Sequence, residues 1–337
     1  MQREPVSSVV SSGAPNTRRA RASPLLGWVR RGGTVLVVAL IWVVLAFMSP
    51  YFLTTSNVLN ILLQSSNLAL LTIGETFVII TAEIDLSLGS MEALAGALAA
   101  VLIVKIHMPV TLAVAMGLVA GLVSGVISGV ATTRVRIPSF ISTLAMLSIA
   151  SGAALIMTGG TSVYGLPAAF QFMGQGFIGP IPVPVLIALV IAAACHFVLK
   201  YTRFGLDVYA VGGGAEAARL AGVNVERVKI AVLALSGVLA ASGGLILTSR
   251  LNSGQGTIGS ADLLMAIAAV VIGGTSLMGG IGSITGSLIG VLLIGTITDG
   301  LDLLAVSAFW QQVAIGAIIL AAVLIDQLGK RATGGSR

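Results

Sequence analysis

Charge is scarce in this chain: Asp, Glu, Lys and Arg make up 9% of its 337 residues, against about a quarter in soluble globular domains. With 56% hydrophobic residues and a mean hydropathy of +1.06, that scarcity excludes a soluble fold. Cysteine is nearly absent. The single Cys195 rules out an internal disulfide framework and any multi-cysteine metal site, and its apolar surroundings from Val185 to Leu199 mark it as packing. His107 and His196 stand far apart, without ligand spacing, and read as interfacial. Catalytic signatures are missing as well. None of the four lysines precedes Ser or Thr, so there is no phosphate-cradling G-x-x-x-x-G-K-[ST] loop. Nor is there an H-E-x-x-H pair, a G-x-S-x-G elbow or a Cys/His cluster.

What the chain has is apolar length. Hydrophobic runs near 33–49, 57–81, 87–104, 110–132, 139–158, 183–199, 230–249, 263–279, 283–298 and 310–326 predict about ten transmembrane helices in one all-α, polytopic bundle. Placing both termini in the cytoplasm puts 16 of the 18 Lys and Arg residues on that side, leaving only Lys105 and Arg250 outside. This is the asymmetry of a multi-pass protein in a bacterial inner membrane. It also accounts for the net charge of +6 without nucleic acid. Residues 1–32 read as a disordered basic cytoplasmic tail, 33–327 as the transmembrane domain and 328–337 as a second cytoplasmic tail. The stretch 159–182, rich in Gly, Pro and aromatics, is too irregular for a long helix and forms the largest outer segment, either a docking surface or a passive connector.

Polar residues inside the apolar runs are the next signal. Gln64, Asn67 and Glu75 fall within roughly 80° on one helix face, a stripe that suits a wet solute pathway or a buried hydrogen-bond network. Glu83, Asp85 and Ser87 interrupt the hydrophobicity between two crossings; they either line water or cap the next helix. Glu92, Asp262, Asp299 and Asp302 are further carboxylates near or within the runs. Gly117, Gly121, Gly125 and Gly129 recur every fourth residue, as do Gly282, Gly286 and Gly290, forming ridges for close helix packing or for a subunit interface. Residues 78–90 faintly repeat at 271–283, as a parallel duplication would.

Between two apolar runs lies one charged interruption. Lys200 to Lys229 holds eight charges in 30 residues, centred on Glu216-Ala217-Ala218-Arg219-Leu220-Ala221-Gly222. A segment this polar projects into water and offers a handle to a soluble partner. The E-A-A-x-x-x-G spacing resembles the cytoplasmic coupling loop of ABC importer permeases. Its neighbours sharpen the likeness: Tyr201-Thr202-Arg203-Phe204-Gly205, Gly74-Glu75-Thr76-Phe77-Val78-Ile79, Ile84-Asp85-Leu86-Ser87-Leu88-Gly89-Ser90, Ile137-Pro138-Ser139-Phe140-Ile141 and Ile272-Gly273-Gly274-Thr275-Ser276. From about residue 35 to 327 the chain resembles the permease subunits of ribose/simple-sugar ABC importers. The resemblance implies a non-enzymatic permease that binds no cofactor, working with a cytoplasmic ATPase that holds ATP-Mg. It also implies an extracytoplasmic sugar-binding protein and a second permease copy or paralogue. Glu216, Ala217, Ala218, Arg219, Gly222, Glu226 and Arg227 would form the ATPase contact; Gln64, Asn67, Glu75, Glu83, Asp85, Ser87, Thr275 and Ser276 are the candidate pathway. Two departures stand out. The family usually carries Gly-Gly where this chain has Ala82-Glu83, and Ala231-Val232-Leu233-Ala234 lacks the proline of the fuller coupling motif. A sugar, polyol or nucleoside remains open as solute, with branched-chain amino acid permeases as cousins. A gradient-driven carrier using Glu75, Glu83 or Asp85 and a membrane scaffold without transport are the rival classes.

Overall fold

In hydrocarbon every backbone amide needs a partner within the protein, which is why long apolar runs become helices. The computed structural model describes residues 24–318, 320 and 324, with side chains from residue 33 onward. The expected tail at 328–337, most of that at 1–32 and the end of the 310–326 run lie outside the described residues. The order is α1 (Pro24–Met48), α2 (Thr55–Ile80), α3 (Leu88–Val104), α4 (Val110–Thr133) and α5 (Ser139–Thr158), then β1 (Val163–Tyr164), α6 (Ala168–Gln175), β2 (Phe177–Ile178) and β3 (Ile181–Pro182). After these come α7 (Val183–Tyr201), α8 (Arg203–Gly213), α9 (Ala215–Leu220), α10 (Val225–Leu251), β4 (Ser253–Gly254), α11 (Asp262–Ile272) and α12 (Ile284–Leu303); residues 308–318 are helical again. Six helices among the described residues, α2, α4, α5, α7, α10 and α12, are long and apolar enough to cross a membrane, while residues 33–48 of α1, α3 and α11 are apolar but shorter.

Several boundaries differ from the hydropathy reading, two of them for a clear local reason. The run at 263–279 yields only the 11 helical residues of α11, about 16 Å of rise against a hydrocarbon core of about 30 Å. Glycine stops it: Gly274, Gly279 and Gly280 have φ of +87°, +82° and +72°, so 273–283 folds as a compact connection instead. Helix α10 begins at Val225 rather than 230, because the Asn224 side chain caps it by accepting from the Arg227 amide at 3.0 Å. Helix α1 is described from Pro24, nine residues ahead of the first apolar run.

Helices α2 and α10 form the middle of the bundle. Their most apolar stretches are 89% and 67% buried, against 28% for α4 and α5, whose outward faces present Leu112, Met116, Val119 and Ile149. Backbone contact makes this density possible. A Cβ at Gly121 would lie 2.3 Å from the Gly237 carbonyl oxygen, one at Gly237 2.2 Å from that of Gly121, and one at Gly125 2.2 Å from that of Leu233. The Gly117–Gly129 ridge of α4 thus lies directly on α10. On the second ridge, Gly290 and Gly286 stand equally close to the Ala269 and Gly273 carbonyls of α11 and its end. The irregular stretch between α5 and α7 is anchored to the far end of α10. Strand β1 pairs antiparallel with β4, Val163 opposite Gly254, and the Ser249 hydroxyl donates to the Phe170 carbonyl at 2.6 Å.

Candidate functional site

The polar stripe on α2 divides into two clusters with different partners. In the first, the Asn67 amide donates to Glu92 Oε1 of α3 at 2.9 Å and to Asp262 Oδ2 of α11 at 3.2 Å. Asn67 and Glu92 are buried. Gly243 and Gly259 keep room beside the carboxyl group: a Cβ at Gly259 would lie 2.3 Å from Glu92 Oε2. Gln64 is half-buried and takes no part.

The second cluster lies about 12 Å further along α2, eight residues at 1.5 Å each. There the connection between α2 and α3 folds back onto Glu75, whose Oε1 accepts from the Asp85 amide at 3.3 Å. Asp85 is buried and fully engaged: Oδ1 accepts from the Ser87 amide and hydroxyl at 2.9 and 2.6 Å, and Oδ2 from the Ser236 hydroxyl of α10 at 2.8 Å. Helix α5 secures the same connection, as Ser139 Oγ accepts from Ile84 N at 3.3 Å and Thr143 Oγ1 from Leu86 N at 3.1 Å. Ser87 occupies the position just before α3, yet its side chain makes no capping bond, because its hydroxyl is turned to Asp85. The capping expectation for Ser87 therefore gives way to a buried network that fixes the connection.

How α2 ends determines where Glu83 goes. The amides of Ala82 and Glu83 donate to the Ile79 and Val78 carbonyls at 2.9 and 3.2 Å, a Schellman closure with Ala82 at the left-handed position, φ +61°. Alanine there is strained where glycine would not be. Ala82→Gly should therefore stabilise the protein by a few tenths to about 1 kcal/mol, the relief of strain exceeding the added chain entropy. A thermal midpoint in detergent that falls instead would refute this account of the turn. Past the turn, the Glu83 carboxylate meets the Lys229 ammonium in the first turns of α10.

Thr275 and Ser276 belong to the neighbouring 273–283 connection rather than to either cluster. The Ser276 amide donates to the Ile281 carbonyl at 2.9 Å, and the Gly280 amide donates to Ile80 O at 2.9 Å, seating this connection on the end of α2. The segments related by the faint repeat, 78–90 and 271–283, are thus in direct contact.

Helices α8 and α9 form the charged projection. Gly222, at φ +88°, ends α9, its amide donating to Arg219 O at 3.0 Å. Ala218 is buried, while Glu216, Ala217, Arg219, Leu220, Glu226 and Arg227 are exposed. Glu216 and Arg219 pair at 2.7 Å on the surface. Leu220, which sequence reasoning left aside, is 83% exposed, an apolar knob beside two charges. The projection is not loosely hung. Phe204 stacks on Phe77 with centroids 6.4 Å apart, and the Tyr209 hydroxyl donates to Gly282 O at 2.7 Å. Gly212 packs so tightly on Ile80 that a Cβ would sit 1.7 Å from its carbonyl oxygen. Among the described residues no group of three His, Cys, Asp or Glu could hold a metal ion.

These features can be set beside known proteins. Residues 57–323 match the family described as branched-chain amino acid transport system / permease component. The chain is 44% identical over 304 residues to the ribose import permease protein RbsC of Bacillus subtilis (strain 168), covering 89% of this chain and 94% of the relative. RbsC of Haemophilus influenzae is 41% identical, covering 84% and 88%. The xylose transport system permease protein XylH of Escherichia coli (strain K12) is 34% identical, covering 88% and 92%. No solved structure matches the chain significantly. On this evidence the chain belongs to the ABC-importer permease family that includes the ribose and xylose permeases.

Proposed function

We propose that this chain is the membrane permease of a sugar importer, passing a pentose, hexose or related polyol that a binding protein delivers from outside. It sits in the bacterial inner membrane with both termini cytoplasmic and about ten crossings, counted as the six long helices, the shorter apolar stretches of α1, α3 and α11, and the helix that begins at residue 308, and it works as a dimer with a second copy or paralogue. The energy comes from a separate ATPase subunit that holds ATP-Mg. One observation carries this reading: the exposed α9, with Ala218 turned inward and Glu216, Arg219 and Leu220 turned outward, is wired by Phe204, Tyr209 and Gly212 to the end of α2 and to the 273–283 connection. When the ATPase subunits close on ATP they draw α8 and α9 together, and the two connections move with them. The bundle then exchanges its outward opening for an inward one, an alternating-access step of the rigid-body kind. Nothing in this chain breaks a covalent bond; its residues orient, seal and transmit.

Native purification in mild detergent tests this. Wild type should bring down a P-loop ATPase, and the Glu216→Ala/Arg219→Ala pair should retain about a tenth of it or less, the loss of charge-steered docking at an exposed contact. If neither form binds an ATPase while the complex is otherwise intact, the importer reading fails, and the carboxylates Glu75, Glu83 and Asp85 become candidates for coupling to an ion gradient.

A further inference from the structure

The pair formed by Glu83 and Lys229 joins the α2–α3 connection to the start of α10. Glu83 is 12% and Lys229 19% exposed, so both charges are largely out of water, and each depends on the other. They lie 146 residues apart and join two segments of different duty. Lys229 stands four residues into α10, just after the projection formed by α8 and α9. Glu83 stands at the head of the 82–87 connection, whose next members are Ile84, held by Ser139, and Asp85, held by Ser236. Its direction is fixed by the left-handed turn at Ala82, against which Gly279 packs so closely that a Cβ there would lie 2.8 Å from that of Ala82. The strained turn serves to place this one charge on Lys229.

Resting on the importer reading, we propose that Glu83 and Lys229 are positioning residues for the transport step: an electrostatic strut that carries displacement of the α8–α9 projection into the 82–87 connection. The other links from the projection, through Phe204, Tyr209 and Gly212, reach the end of α2 and the 273–283 connection. The strut reaches past the Ala82 turn from the first turns of α10, next to the projection, whereas Ser236 holds Asp85 from the middle of that helix.

A ligand-free experiment reads this on the whole complex. In a Cys195→Ala background, Ile84→Cys gives a thiol on the connection, and its rate of reaction with N-ethylmaleimide is measured with and without ATP plus vanadate. With the charges intact, nucleotide should change the rate by at least about fivefold, a coupling of the usual allosteric size. Glu83→Gln and Lys229→Met should each retain the ATPase and lose that change. The exchanged pair, Glu83→Lys with Lys229→Glu, should recover most of it, which a merely structural contact with the original residues would not do. A change preserved in either single variant overturns the proposal. So does a folded exchanged pair that recovers nothing, or single variants that lose the ATPase, since the pair would then govern assembly. If the exchanged pair does not fold, the two single variants decide alone. A parent complex that binds the ATPase yet shows no change also overturns it, whereas a parent that binds no ATPase refutes the importer reading instead.

Discussion

Gly121→Val will leave little folded protein in the membrane. The valine Cβ would begin 2.3 Å from the Gly237 carbonyl oxygen and 2.7 Å from the Ala241 Cβ. A flexible side chain can swing away from such a clash, but a backbone carbonyl in the middle of α10 cannot. The two helices must separate, and separation at Gly121 also opens the contacts of Gly125 with Leu233 and of Gly129 with Ile230. Overpacking alone typically costs about 1–3 kcal/mol, and a backbone-on-backbone crossing belongs at or above that upper end. Membrane helices associate through close packing rather than through hydrophobic exclusion, so little else compensates. The measurement is the monodisperse yield and the thermal midpoint in one detergent. Gly152→Ala on α5, where nothing lies within 4 Å, is the control and should lose nothing. An unchanged midpoint for Gly121→Val would show that α4 and α10 do not cross as described.

Asn67→Leu should be nearly as damaging, for an electrostatic reason. Its amide is the hydrogen-bond donor that Glu92 and Asp262 share. Asp262 keeps the attraction of the Arg250 charge, but buried Glu92 loses its amide donor and keeps only the Asp262 carboxyl beside it. Leaving a buried acceptor without its donor costs about 1–3 kcal/mol, and more where the acceptor is charged. The distinguishing result comes from the double variant. Adding Glu92→Met to Asn67→Leu removes the stranded group, so the pair should be more stable than Asn67→Leu alone. Thermal midpoints of the four proteins close the cycle, and additive losses would dissolve the supposed bond.

Hydropathy and glycine spacing carried much of this architecture. The long apolar runs became α2, α4, α5, α7, α10 and α12 because hydrocarbon leaves an apolar chain few options besides helix. Where the reading slipped, the cause was short-range and visible afterwards: Gly274, Gly279 and Gly280 stop α11, and Asn224 starts α10 early. The polar residues were harder. Asn67 and Glu75 share a helix face, yet they serve separate clusters, because the partners that divide them come from α3, α11 and the 82–87 connection. Ser236 and Lys229 gave no warning of their roles; their bonds to Asp85 and Glu83 span 151 and 146 residues. No local pattern encodes such a meeting. Ala82-Glu83 did stand out, as a departure from the glycine pair that the family resemblance led one to expect, and it proved to be the turn and the charge that face Lys229.

The ladder between β1 and β4 gives the bundle a second point of address. It joins the 159–182 stretch to Ser253 and Gly254, immediately beyond the end of α10 and a few residues short of Asp262. Pressure on that stretch reaches α10 from one end, while the projection of α8 and α9 enters it at the other. If the proposed binding protein docks on that stretch, arrival of cargo and arrival of nucleotide are two messages written to the same helix.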